Sequence, residues 1–374
     1  MHNAASTDHD DTGLWDALLR PASARPQPSP DLANKRILIT GAAGSIGSAL
    51  AHAVAASSPS ALLLLDTSEN GLYQIDRSLH DTGFNQHIPI LGSVTNPSTL
   101  DHLFNDHQPQ IIFHAAALKH VPLMEQNPFA AVDNNALGTL TLAHASLAHR
   151  AQHLVLVSTD KAVDPHSIMG ASKRIAELIL LSLATPATRM TVVRLCNVIG
   201  SQGSVLPLFL EQLAHNLPLT VTDPEAHRYF ISLDRAIEAI LSSLQSPSTS
   251  AILLPTPGEP VRILDLAHHL LRTHTHTTSA IEFTGLRPGD KLTEHLLSTR
   301  EHLLSPTTET LRSIHTPTPT LAALHASLTT LREAIQTHDL PQLLRAVQAL
   351  VPEYQPSILI THALTQHLTP ELSA

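Results

Sequence analysis

From Lys35 onward, short apolar runs alternate with longer stretches whose apolar residues recur at helical spacing. The runs at 36–40, 61–66, 87–91, 110–114, 153–158 and 191–195 are almost continuously apolar, as strands covered on both faces are. Strand and helix in strict alternation predict the α/β class, a Rossmann-like, doubly wound parallel sheet over 35–195. The pattern turns irregular over 196–304, which reads as a smaller C-terminal substrate-binding region with some segments returning to the sheet. Residues 1–34 hold a short amphipathic piece at 14–19 and the Pro-rich PASARPQPSP, a tail or linker. Residues 305–374 read as a Thr/Pro-rich connector followed by two amphipathic helices, 321–338 and 341–350. These helices can pack on the domain or on a second subunit, so a homo-oligomer stays open.

One stretch joins a buried strand to reactive residues. Residues 154–177, LVLVSTDKAVDPHSIMGASKRIAE, run from a strand into Ser158, Thr159, Asp160 and Lys161, then past a turn at Pro165 into a helix predicted over 170–184. Polar groups at the carboxyl end of such a strand face the crevice where open α/β sheets bind ligands. Ile175, Leu178, Ile179 and Ser182 are expected to alternate between core and edge, and Met169 and Lys173, four apart, can face the same crevice.

The first strand runs into Gly41-Ala-Ala-Gly44-Ser45-Ile46-Gly47 and an Ala-rich helix predicted from Ser48. Gly41 permits the turn, Gly44 lets backbone approach a pyrophosphate, and Gly47 lets helix pack close to strand, with the helix N-terminus aimed at phosphates. LLLLD then ends at Asp66, whose carboxylate can accept the ribose hydroxyls; with no Arg beside it, it favours NAD over NADP. Ser93 and Val94 end the third strand where backbone approaches adenine. Ala115, Ala116 and Ala117 end the fourth, small enough for a flat dinucleotide or simply closely packed. Lys119 and His120 can offer donors to a substrate phosphate or sugar, or sit in a solvated loop. Asn134 and Asn135 can cap or brace the neighbouring strand.

Composition narrows the reading. The 374 residues are 43% hydrophobic and 14% charged, a globular balance, and the net charge of −10 argues against a nucleic-acid surface. Cys196 is the sole cysteine, which excludes an intramolecular disulfide and a Cys-based zinc site. The 26 histidines, His268-His269 and His274-Thr-His276 among them, lie in Thr- and Ala-rich segments without a carboxylate framework, so no metal is expected. No apolar run reaches the ~18 residues of a membrane helix, and 1–11 is polar and acidic, unlike a signal peptide. Together these predict a cytoplasmic protein with no membrane segment.

The segments ILITGAAGSIGSAL (37–50), HAAALKHVPLMEQNP (114–128), NNALGT (134–139), VSTDKAVDPHSIMGASK (157–173), VRLCNVIGSQGSVLPLF (193–209), RYF (228–230) and GLRPGDKLTE (285–294) carry a resemblance. The chain resembles an extended short-chain dehydrogenase/reductase, and within that group the bacterial polysaccharide-biosynthesis UDP-N-acetylglucosamine 4,6-dehydratases. LLRP at 18–21 and LVPEYQPS at 350–357 resemble segments flanking the catalytic half of the family's long members.

The resemblance implies a UDP-sugar substrate, C4 oxidation by bound NAD, loss of water across C5 and C6, and return of the hydride to C6. It implies Asp160 as the acid and Lys161 as the base, with Thr159 and Lys173 beside them and Lys173 on the nicotinamide ribose. Met169 stands where short-chain dehydrogenases usually have the Tyr base; the long dehydratases are also known for Met at this place, and a thioether takes no proton. The C4-hydroxyl proton is then left to Thr159, Asp160, Lys161 or a water held by Lys173. By family match Asn197 and the Gly203-Ser-Val205 turn lie near the sugar nucleotide, and Arg228 and Arg287 suit its diphosphate, an exposed ion pair being the alternative for either. Cys196, Asp290 and Thr293 stand where the family more often has Gly, Glu and Tyr. A sugar-nucleotide 4-epimerase of the same fold and a catalytically silent NAD-binding interaction protein are the competing readings.

Overall fold

The computed structural model describes residues 28–256, 258–274, 279–308 and 310–368. The amphipathic piece at 14–19, the LLRP segment and His276 lie outside them. Six parallel strands form where the apolar runs fall: β1 (Arg36–Thr40), β2 (Ala61–Asp66), β3 (His87–Leu91), β4 (Ile111–His114), β5 (His153–Thr159) and β6 (Arg189–Leu195). Three more join them. β7 (Ser250–Pro255) pairs parallel with β6, and the hairpin of β8 (His302–Pro306) and β9 (Leu311–His315) adds on antiparallel through β9. The order is β8-β9-β7-β6-β5-β4-β1-β2-β3. Part of the expected connector is therefore β9, a strand paired on both sides, between β8 at the edge and β7. Its LRSIH segment buries Leu311 and Ile314, three apart, and leaves the residues between half-buried or exposed, so it lacks the strict alternation that marks a strand in sequence.

Helices cover both faces, which makes the architecture a Rossmann-like doubly wound sheet. On one face lie α1 (Ser45–Ala55), α2 (Glu69–Asp81) and Leu233–Ser242, packed on Ile37, Ile39, Phe113 and Val155. On the other lie α3 (Pro97–His107), α4 (Gly138–Ala148) and α5 (Ile168–Leu183), packed on Leu38, Ile112, Leu154 and Val192. The alternation of each strand thus feeds two cores. The last helices, α6 (Leu321–Thr337), α7 (Leu340–Leu350) and α8 (Ile358–Leu368), join the second core through Leu328, Leu331, Leu343 and Val347.

Because α7 and Glu301 cover its outer side, α5 is buried at every position from Ile168 to Leu180, including Lys173, Arg174 and Glu177. The expected alternation of core and edge fails there; Ser182 is half-buried. Residues 196–304 supply a third, smaller core of Phe209, Leu219, Val221, Phe230 and Leu266 beyond the carboxyl ends of the strands. Since β1 is flanked by β2 on one side and β4 on the other, the chain reverses direction across the sheet there, and a crevice opens between β1 and β4 at those same ends.

Candidate active site

The glycine turn makes one wall of the crevice. Gly41 leaves β1 at a φ of 70° with its N–H donated to the Leu65 carbonyl, 2.9 Å away. Helix α1 begins at Ser45, three residues earlier than the sequence pattern placed it, because Gly44 takes the extended cap conformation. Gly44 has no side chain to cap the helix, so the first N–H groups of Ser45, Ile46 and Gly47 are available to an anion. A Cβ on Gly47 would stand 2.0 Å from the Gly41 carbonyl oxygen, so only glycine permits this packing of helix on turn. The donor set and the close-packed glycines fit a dinucleotide pyrophosphate.

Asp66 ends β2 beside this turn and accepts from the backbone N–H of Ala43 and of Ser68, both at 2.9 Å. These two bonds fix the carboxylate beside the glycine turn. Ser93 bonds Thr95 while Val94 is buried beneath, and Ala115, Ala116 and Ala117 are half-buried past the end of β4. Below them His114 is wholly buried between Thr40 (2.7 Å) and Thr139 (2.9 Å). Thr139 donates to the Asn135 carbonyl, so the consistent chain has His114 Nε2–H donating to Thr139 and Nδ1 accepting from Thr40. Burial, aided by Lys173, holds its pKa down to about 3 and the ring neutral. Asn135 braces the site: its amide bonds the backbone of Leu118 on both sides and the Ser172 hydroxyl.

Thr159, Asp160 and Lys161 turn through a short 3-10 segment at the end of β5. Helix α5 approaches them closely; a Cβ on Gly170 would meet the Lys161 carbonyl oxygen at 2.2 Å. Lys161 Nζ lies 3.0 Å from Asp160 Oδ1, 3.2 Å from Asn197 Oδ1 and 3.5 Å from Glu294 Oε1. Thr159 donates to the same Asp160 oxygen at 3.1 Å. Asp160 Oδ2 is buried with no hydrogen-bond partner among the described residues. Burial raises the Asp160 carboxyl above its usual range, Lys161 opposing and Glu294 adding to the rise. Burial also pulls Lys161 down, but the Asp160 and Glu294 carboxylates outweigh it and hold its ammonium above the ordinary lysine value. The pair is an ion pair in this state, with 23% of the Lys161 side chain exposed toward the crevice.

Lys173, buried one helical turn after Met169, donates to the Val157 carbonyl at 2.7 Å, and burial brings its pKa down to about 8. Met169 is 2% exposed and fills space under the crevice. Arg228 sends its terminal nitrogens to the carbonyls of His227, Leu292 and Lys291, bracing the segment that carries Glu294. Arg287 stands in an exposed ion pair with Asp290 at 2.8 Å. Lys119 donates to the Gln202 carbonyl while the Gln202 N–H reaches Ser45, so the loop before Val205 is tied across to the glycine turn, and Gly203 packs on the His120 ring.

Two residues absent from the sequence reading belong here. Glu294 and Lys291 are buried beside Lys161, 3.4 Å from each other. Their i, i+3 opposite charges inside GDKLTE were the available signal, but the segment is irregular and no periodicity pointed it inward.

The family model described as polysaccharide biosynthesis protein matches residues 37–316. The capsular polysaccharide biosynthesis protein CapD of Staphylococcus aureus is 41% identical over 279 residues, 73% of this chain and 47% of CapD, so the chain spans about half the length of that relative. A UDP-glucose 4-epimerase of Rickettsia rickettsii (strain Sheila Smith) is 31% identical over 278 residues, 72% of this chain and 79% of the epimerase. Among solved structures, Pen from Bacillus thuringiensis superposes with a TM-score of 0.71 at 26% identity, covering 76% of this chain and 89% of that one.

Proposed function

The chain belongs to the polysaccharide biosynthesis protein family, and from that premise we propose that it is a nucleotide-sugar 4,6-dehydratase, acting on UDP-N-acetylglucosamine with NAD bound across the glycine turn and Asp66. The observation that carries this reading is the Thr159-Asp160-Lys161 arrangement, a buried carboxyl with one free oxygen bonded through the other to a lysine. An epimerase needs no acid for C6; a dehydratase needs both groups.

When bound, the nicotinamide supplies the acceptor for the C4 hydride and its return to C6. Met169 has no group to take the C4-hydroxyl proton; half-buried Thr159, which donates to Asp160 Oδ1, relays that proton to Asp160. Neutralising Asp160 removes one of the two carboxylates beside Lys161, and the filled crevice takes water from its exposed face. Both changes lower its pKa and let the ammonium release a proton to solvent. Lys161 then removes the C5 proton, made acidic by the C4 ketone, and Asp160 protonates the C6 oxygen, which leaves as water. Lys161 returns a proton to C5, regains one from solvent, and the ion pair is restored. Lys119, His120, Asn197, Val205 and Arg287 are the residues proposed to face the sugar nucleotide, Arg287 by exchanging Asp290 for diphosphate oxygens; Arg228, its terminal nitrogens on three carbonyls, braces the segment of Glu294 in place of the diphosphate role.

The test is an NMR time course with UDP-N-acetylglucosamine and catalytic NAD in deuterated water. A new C6 methyl signal is expected, and Asp160→Asn and Lys161→Met should each lower its rate at least ~100-fold while NAD still binds. The Rickettsia relative's name favours a second reading, a 4-epimerase; inversion at C4 with no methyl signal would replace the dehydratase with it. No turnover of UDP-N-acetylglucosamine, UDP-glucose or dTDP-glucose by NAD-bound protein would leave the silent binding protein.

A further inference from the structure

Lys161 is the base of the proposed reaction, yet the structure surrounds it with more negative charge than a base needs. Asp160 lies on its own turn, and Glu294 reaches it from a segment far along the chain. Glu294 is 3% exposed, and such a carboxylate is retained in a core only if cations compensate it. Three do. Its Oε1 is 3.5 Å from Lys161 Nζ and 4.0 Å from Arg228 Nε, and its Oε2 is 3.4 Å from Lys291 Nζ. Lys291 is itself fixed by donating to the Val163 carbonyl at 2.6 Å, two residues past Lys161, and Arg228 is fixed on three carbonyls. Glu294 thus sits among three cations, its Oε2 near Lys291 without a hydrogen bond among the described residues and its Oε1 turned to Lys161.

We infer that Glu294 is a positioning residue for the proposed dehydration: it holds the Lys161 amine in place once Asp160 has become neutral, and it sets the pH at which that amine becomes a base. The inference rests on the dehydratase reading for its catalytic consequence, but its electrostatic content does not. The groups facing Lys161 are Asp160 on its own turn, Asn197 and Cys196 after β6, Arg228 from the strand His227–Arg228, and Lys291 and Glu294 from the irregular segment; His166 faces Glu294 and Lys291 from the loop before α5. Of these, Glu294 is the one carboxylate that the chemistry leaves charged throughout. While Asp160 holds the C4 proton, Glu294 alone opposes premature loss of the Lys161 proton, and Lys291 and Arg228 limit how strongly it does so.

The experiment is a pH titration by NMR of NAD-bound protein carrying [ε-13C]lysine, run beside the pH profile of kcat. Lysine occurs only at 35, 119, 161, 173 and 291, so the spectrum is simple and Lys161→Met assigns the signal. In Glu294→Gln the Lys161 midpoint should fall by at least one pH unit, and the rising limb of kcat should move down with it. Glu294→Asp, which keeps the charge, should bring both back toward wild type. Lys291→Met, which strips Glu294 of its other lysine, should move both upward and decides the matter if Glu294→Gln does not fold. A uniform fall in kcat with both midpoints unmoved would mean a merely structural Glu294 and would overturn the inference. If the wild-type protein makes no methyl product, the dehydratase reading fails, while the Lys161 titration still judges Glu294 by itself.

Discussion

At the scale of single residues, what decides the site is how closely backbone and side chains approach one another. Gly47 is the sharpest case. An added methyl group would stand 2.0 Å from the Gly41 carbonyl oxygen and 2.9 Å from Ala42 Cα, both backbone atoms, so the turn itself would have to move. Gly47→Ala is therefore expected to destabilise the protein by ~1–3 kcal/mol in urea unfolding and to weaken NADH binding at least tenfold in a fluorescence titration. The glycines and the Thr-Asp-Lys turn were readable from the sequence because strand, turn and helix are local and these residues stand at their junction. Glu294 was not, because an irregular loop carries no period from which its direction could be inferred. The placement of Arg228 was equally hidden, since its carbonyl partners become neighbours only when residues 291–294 fold beside it.

At the scale of elements, β6 and α5 are joined to the C-terminal region by a buried ionic network. Arg194, wholly buried on β6, bonds Glu177 of α5 at 2.7 Å and Glu301 at 2.8 Å. Arg174 bonds the same two carboxylates and approaches Glu353. Ser158, one residue before the Thr-Asp-Lys turn, donates to Glu177 at 2.6 Å, so the network reaches the end of β5. Burial raises the Glu301 carboxyl, but the Arg194 and Arg174 guanidinium groups prevail and bring it down to about 2. Glu301→Ala leaves part of the Arg194 charge buried and unpaired, and a loss of ~3–5 kcal/mol is expected. Urea unfolding measures it, and a cycle with Arg194→Met separates the pair's coupling from the penalty of the stranded charge.

At the scale of the whole molecule, stability should depend on pH through the buried histidines. His114 and His153 are held neutral by burial, each with its pKa down to about 3 from an ordinary 6.5. Between those values the unfolded chain binds protons that the folded chain refuses. Stability is accordingly highest above pH 6.5 and falls as the pH drops toward 3, by at most ~1.4 kcal/mol per pH unit for each histidine. Glu301 adds to the loss from about pH 4.5 down to 2, where its folded carboxylate finally takes a proton. A series of urea midpoints from pH 7.5 to 4 checks the slope, and His114→Gln should flatten it; an unchanged slope in that variant would refute His114 as a source.

The sequence by itself determined the six parallel strands, the glycine turn, the helix after it and the reactive residues at the end of β5, since each depends on neighbours within a few residues and on apolar runs that a covered strand requires. It also carried the family resemblance through order and spacing. Only the tertiary structure decided that 250–255, 302–306 and 311–315 complete the sheet, that the C-terminal helices bury α5 on its outer side, and that Glu294 and Lys291 stand beside Lys161. Those facts depend on which distant segments share a desolvated space. Burial and opposite charge then give carboxylates and lysines a meaning that their position along the chain does not hold.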